Sequence, residues 1–230
     1  MKRSVKPSQK RRPRGSLTRE RIVEAALELA DEKGLDALTM PTLARRLESG
    51  VMTIYGYVQD KEDLLDAIAQ RGLADLQLPQ PLPPGAAGLL TAWGRAMRRT
   101  LIAHPSLPMI FLSQSVIGPG IFRGIERLLG RLTQGGMPPA FGVRAIYAVL
   151  TYTTGFVAWE LPRTVDQPQS QYAADWRTEF ASLPPESFPL TAAVIGDLSR
   201  VAGEEQFELG LAALAAGLAG GTSVGAILSL

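Results

Sequence analysis

Apolar residues near the N-terminus recur at three- and four-residue spacing: Ile22, Ala25, Ala26 and Leu29. That period predicts a helix with one buried stripe. Thr18 is suited to cap its start and Gly34 to close its end. A second unit begins at Leu38, with Thr39 as cap and Pro41 tolerated in the first turn. Leu43, Ala44 and Leu47 give that unit an apolar face, and Glu48-Ser49-Gly50 breaks it. A short helix is expected from Val51 to about Tyr57. Asp60, with Asp63 three residues later, opens the next helix, whose stripe is Leu64, Leu65, Ile68 and Leu73 and which runs to about Leu76.

The stretch "LPQPLPPG", Leu78 to Gly85, prevents a continuous helix. Helical patterns follow at about Ala86 to Ala103, Leu107 to Leu112 and Gly120 to Leu132. A long apolar helix is expected from Ala140 to Leu161, stopped by Pro162. Arg163 to Pro189 reads as a long loop or partly ordered insertion, and helices around Leu190 to Val201 and Glu205 to Leu218 close the chain. No region alternates polar and apolar residues long enough to predict a sheet, so the fold class is all-α. The expected organisation is a basic arm (1–15), a helix-turn-helix head with its linking helix (16–77), a proline-rich linker (78–85) and a helical bundle (86–230).

Charge changes this picture. Net charge is only +2, yet every lysine lies at or before Lys61. The run Lys2, Arg3, Lys6, Lys10, Arg11, Arg12, Arg14, Arg19 and Arg21 has only Glu20 against it. Such asymmetry points to a polyanion bound at the N-terminal end, or else to a solubilising tail. There is no cysteine, hence no disulfide framework or thiolate metal site. No uninterrupted apolar run reaches eighteen residues, so no membrane span is expected. The basic N-terminus lacks the apolar segment of a signal peptide. These features together fit a cytoplasmic protein.

A seven-residue helix is not stable alone and must be held by its partner. Two short helices joined by a three-residue break describe a helix-turn-helix. Its inner face would combine Ala44, Leu47, Ile54 and Val58 with Ile22, Ala26 and Leu29. The outer face would carry Val51, Met52, Thr53, Tyr55 and Tyr57, a surface able to enter a major groove. Tyrosine hydroxyls there can meet phosphates. Lys61 sits where the helix dipole mildly disfavours a cation, which a nearby phosphate would offset. Met40, Thr42 and the arm residues Arg11, Arg12 and Arg14 complete the candidate DNA-binding set.

The stretches "RERIVEAALELADEKGLDALTM", "LARRL", "MTIYGYV" and "DKEDLLDAI" resemble the DNA-binding domain of the TetR family of bacterial transcriptional regulators. Tyr55 and Tyr57 match the tyrosine, one residue, then histidine or tyrosine that ends that family's recognition helix, and Lys61 matches its phosphate-contacting lysine. "GFVAWEL" and "EEQFELGLAALAAGL" resemble the dimerisation helices of the tetracycline-repressor-like branch. There are departures: the turn lacks the usual glycine-valine, Gly56 lies inside the recognition helix, Pro41 replaces a base-reading arginine, and Val51 replaces a polar reader. Few side chains then remain for hydrogen-bonded base readout, which shifts weight to the arm, the tyrosines or operator shape.

One head reads about half a site, so specific binding implies a homodimer spanning about 34 Å of duplex. Val157, Leu161, Leu209, Ala212, Ala213 and Ala216 are the candidate dimerisation residues, the small ones permitting close approach. Trp93, Met97, His104, Phe111, Phe122, Ile125, Tyr147, Thr151 and Trp159 are candidates to line an effector cavity suited to an aromatic or polycyclic molecule. No cofactor is expected. The resemblance implies a ligand-responsive regulator, a repressor released from double-stranded DNA by a small molecule. The alternatives are a dimeric small-molecule sensor whose head no longer reads an operator, and an all-α enzyme. The latter lacks a histidine cluster, a cysteine nucleophile or a phosphate loop to support it.

Overall fold

A computed structural model describes residues 17–114, 118–164, 169–198 and 200–220. Every regular element among them is helical. Two compact units are resolved, one ending at Leu64 and the other starting at Leu65.

In the first unit, α1 (Arg19–Lys33) starts at Thr18, whose hydroxyl accepts from the Arg21 N–H. It ends at Gly34, whose φ of 80° favours a residue without Cβ. A single 3-10 turn (Leu35–Ala37) leads to α2 (Met40–Arg46), capped by the Thr39 hydroxyl at the Thr42 N–H. α3 (Val51–Ile54) follows. Ile22, Ala26, Leu29, Leu38, Leu43 and Ile54 are buried and Leu47 is half-buried, so the expected inner face forms. Arg46 pins α2 to α1 through Glu28 and Glu32, each at 2.8 Å. Those hydrogen bonds raise the Arg46 pKa above its usual value, and the bond from Arg46 lowers that of Glu32.

The turn between α2 and α3 is built without glycine in its left-handed position. Glu48, and not a glycine, adopts the left-handed conformation, with φ of 52°. The Ser49 N–H bonds the Ala44 carbonyl at 2.9 Å, and the Glu48 N–H bonds that of Arg45 at 3.2 Å. This pair of bonds is a Schellman closure with glutamate where glycine is usual. Ser49 then turns inward, and its Oγ is buried without a hydrogen-bond partner.

α4 (Lys61–Ala74) begins in the first unit and continues in the second. Asp60 accepts from the Asp63 N–H at 2.8 Å, and Asp63 accepts from the Gln59 N–H at 2.9 Å, a reciprocal acidic cap.

The second unit contains α5 (Gly85–Ala103), α6 (Leu107–Ser113), α7 (Pro119–Gln134), α8 (Pro139–Thr164), α9 (Gln169–Ala181), α10 (Pro189–Leu198) and α11 (Glu204–Ala219). α8 is central and packs against α5, α6, α7, α9 and α11. Leu89, Leu90, Trp93, Leu128, Leu132, Ile146, Val149, Phe207 and Leu211 fill the core between them. Gly72 of α4 is buried against Leu107, where a Cβ would collide with the leucine side chain.

Two expectations for the second unit change. The polar segment after Pro162 is not a loop throughout: it contains α9 and a 3-10 turn at Pro185–Ser187. Pro162 also does not stop α8, which continues to Thr164. In the last turn the Arg163 guanidinium donates to the Trp159 carbonyl and the Thr164 hydroxyl to that of Glu160. α8 is long and apolar enough to cross a membrane by length and composition, but Arg144 and Glu160 interrupt it, and one side lies within the bundle.

Candidate functional site

α3 is one helical turn, shorter than expected. The chain then tightens: the Gly56 N–H bonds the Thr53 carbonyl and the Tyr57 N–H bonds that of Ile54. Gly56 accounts for the early end, since glycine is among the poorest helix formers. Ile54 and Val58 are fully buried beneath this segment. Met52 is 81% exposed, Tyr55 45% and Tyr57 38%. Thr53 and Lys61 are also exposed, and Val51 is half-buried. A short rod is thus held from one side and presents tyrosine, threonine and methionine on the other.

Arg19 supports the far end of the rod. Its Nε donates to the Tyr57 carbonyl at 3.3 Å, and its guanidinium pairs with Asp63 at 2.5 Å. Arg19 therefore leaves the basic run read from the sequence and becomes a brace between α1 and the start of α4. Met40 is a second correction. It is 8% exposed and packs inward, because it is the first residue of α2 and lies over the core. Thr42 is half-buried, with its hydroxyl 2.7 Å from that of Thr39. Arg45, overlooked in the sequence, is exposed on α2. Its only signal was a charge at the end of a short helix. Arg11, Arg12 and Arg14 lie outside the described residues.

In the second unit the candidate effector residues separate into two groups. Trp93 and Met97 on α5 are buried, and Ile125 on α7 packs against the core. His104 and Phe111 are half-buried, His104 Nε2 lying 3.9 Å from Asp75. Phe122, Tyr147, Thr151 and Trp159 are exposed instead. The last three fan across about 120° of the outer side of α8, since steps of four and eight residues advance about 40° and 80° around the axis. They do not line the interior of the isolated chain.

Sequence reasoning missed the polar groups that do face inward. Thr153, Thr154 and Glu160 of α8 are all buried. Glu160 binds Arg98 of α5 through two bonds, at 2.6 and 3.2 Å. The Arg98 guanidinium also sits 5.1 Å from the centre of the Phe207 ring. Tyr152 donates to the Phe207 carbonyl at 2.9 Å, and burial raises its pKa above the ordinary phenol value. Nearer the surface, Arg95 grips Glu208 of α11. The available signal was the run Thr151-Tyr152-Thr153-Thr154 inside an apolar helix, of which only Thr151 drew attention.

The proposed dimer face is mixed. Leu209, Ala212, Ala213 and Ala216 form an exposed stripe along α11, and Leu161 is half-buried. Val157 is completely buried within its own bundle, so it is unavailable to a second copy and leaves the set.

A helix-turn-helix unit with an exposed tyrosine rod, followed by a separate helical bundle, is an arrangement that profile matches test directly. Residues 22–68 match "Bacterial regulatory proteins, tetR family", and residues 81–220 match "Tetracyclin repressor-like, C-terminal domain". The chain belongs to the TetR family. It is a ligand-responsive transcriptional regulator, and its family is one of DNA-binding proteins and not of enzymes. Among the described residues no group of three or more His, Cys, Asp or Glu is arranged to hold a metal.

Similar proteins agree across this TetR-family chain. The HTH-type transcriptional repressor Rv1353c of Mycobacterium tuberculosis is 30% identical over 210 residues, 87% of this chain and 80% of that protein. HTH-type transcriptional repressor DrrR1 of Streptomyces coeruleorubidus is 33% identical over 146 residues, and the match spans 54% of its length. Apo ActR from Streptomyces coelicolor is 30% identical, with a TM-score of 0.79 covering 92% of this chain and 99% of that one. ActR in complex with actinorhodin has a TM-score of 0.78 at 30% identity, covering 89% and 96% of the two chains.

Proposed function

We propose that this regulator binds a palindromic operator as a homodimer, in the cytoplasm, and is released from DNA by a small apolar or aromatic effector. The observation that carries the DNA reading is the rod from Val51 to Tyr57: Ile54 and Val58 are locked inward while Met52, Thr53, Tyr55 and Tyr57 face solvent. Tyr55, Tyr57 and Lys61 contact phosphates and fix register. Thr53 and Met52 meet base edges, the latter through apolar contact of the kind a thymine methyl offers. With so few polar readers, operator shape supplies part of the specificity. Arg11, Arg12 and Arg14 add phosphate contacts from the arm.

Two heads are needed for a specific site, and the exposed small-residue stripe of α11, a helix that packs on α8, supports a four-helix contact between copies. Trp93, Met97, Phe111 and Ile125 supply apolar lining for an effector, and His104 a polar edge. ActR has been captured with actinorhodin, which supports an aromatic or polycyclic ligand here. Residues 16–77 act as the reading head with its linking helix, 78–85 as linker, and 86–230 as the sensing and dimerisation body. A ligand that favours one bundle arrangement shifts the heads from operator spacing by its difference in affinity for the two states.

The test is selection of duplexes from a random pool, followed by fluorescence anisotropy at two salt concentrations. The expected result is one palindromic sequence class bound tightly above a salt-sensitive background. Equal affinity for all duplexes would instead leave a sensor with a head that no longer reads sequence. Leu209→Arg, placed on the α11 stripe, should yield a monomer by sedimentation and abolish palindrome binding.

A further inference from the structure

We propose that Thr153 and Thr154 are the polar anchor of the effector site, and that the effector is a neutral molecule bearing hydroxyl or carbonyl oxygens. The inference rests on the small-molecule reading above and names the chemistry that reading leaves open. Both threonines are buried, at 0% and 3% exposure, and neither Oγ1 has a hydrogen-bond partner.

This is unusual within the same bundle. A hydroxyl on a helix can donate to the carbonyl four residues back. Ser113 does so to Met109, Thr133 to Leu129 and Thr164 to Glu160. Thr153 and Thr154 make no such bond on α8, although both oxygens are buried inside the bundle. An unpaired buried hydroxyl is destabilising and requires a reason. A ligand that completes the pairing supplies one.

The charge of the ligand follows from its neighbours. Thr153 shares a face of α8 with Val149, Val157 and Glu160 by helical spacing. Arg98 reaches this face, and Glu160 already holds it through two bonds. An anionic effector would meet a cation that is already neutralised, and a cationic one would compete with Arg98. Apolar lining with two hydroxyls instead fits a neutral molecule. Each hydroxyl can donate or accept, so carbonyl and hydroxyl oxygens both suit it. The two threonines are adjacent in sequence and about 100° apart around the helix, so they engage two different oxygens of one ligand.

The experiment uses the full chain and its Thr153→Val, Thr154→Val and double variants. Valine keeps the branched shape and removes the oxygen. The probes are 1,8-dihydroxyanthraquinone and anthracene, titrated by quenching of tryptophan fluorescence, with thermal unfolding of each ligand-free protein alongside. The dihydroxy probe should bind roughly three- to tenfold more weakly for each hydroxyl removed. Anthracene should bind the variants as well as the wild type, and the ligand-free variants should melt no lower than the parent. Lower melting would mean that the hydroxyls are structural, and would overturn the anchor. If the wild type binds the dihydroxy probe and the double variant binds it equally well, the anchor fails while the effector reading survives. If the wild type binds neither compound, both fail together.

Discussion

Removing the Glu160 carboxylate should be among the most damaging single changes in the body of this protein. Arg98 and Glu160 have side chains only 14% and 6% exposed, so neither charge is well hydrated when its partner is absent. Glu160→Ala strands the guanidinium against the Phe207 ring, and breaking such a pair costs about 3–5 kcal/mol. The ring at 5.1 Å is in place with or without Glu160, so it does not offset this loss. The net expectation is a loss of about 3–5 kcal/mol. Replacing both partners should behave differently. Arg98→Met with Glu160→Leu removes both desolvated charges, and such swaps range from neutral to stabilising by about 1–4 kcal/mol. The assay is chemical denaturation of wild type, both single variants and the double, read by far-ultraviolet circular dichroism and closed as a double-mutant cycle. A coupling energy near zero would refute the reasoning, because it would mean that each charge is hydrated independently.

Three further outcomes follow from the head. Glu48→Gly relieves a left-handed residue that costs about 1–2 kcal/mol while adding about 0.5–1 kcal/mol of chain entropy, so the turn should gain about 0.5–1 kcal/mol. Slower amide exchange across residues 43–58 would show it, and faster exchange would contradict it. Lys61→Ala should weaken operator binding across all sequences and reduce the salt dependence by about one phosphate contact, measured as the slope of log affinity against log salt. Glu32 is held below the usual carboxylate value of 4.5 by the hydrogen bond from Arg46. The contribution of that pair is therefore complete above this value and disappears as pH falls through the lowered one, so exchange protection of α1 and α2 should drop only in acid.

Why some of this was legible in the sequence and some was not comes down to which forces leave a period. α1, α5 and α11 bury one stripe each, and the spacing of Ile22, Ala26 and Leu29, or of Leu89, Trp93 and Met97, announces them. Among its described side chains α9 buries only Ala173. It is a surface helix supported by local pairs four residues apart, the Tyr172 and Trp176 rings at 6.3 Å and the Gln171 to Asp175 bond at 2.8 Å. Pairs of this kind leave no apolar rhythm, so the segment read as a loop. Pro162 misled for a related reason: side chains of the last turn satisfy the carbonyls near it, and that depends on geometry and not on composition.

The candidate site divides along the same line. Tyr55, Tyr57 and Lys61 were readable because an exposed face is what remains after the inner residues of a short helix are assigned. For the effector site the useful fact is which side of α8 faces inward, and its apolar residues run all around the helix. Thr151 and Thr153 differ by two positions, or about 200° around the axis. One is exposed and the other is completely buried. An amphipathic helix would have separated them on sight. A helix that packs on five neighbours and also presents apolar residues on its outer side hides its register, so the inward hydroxyls emerge only once α5, α6, α7, α9 and α11 are in place around it.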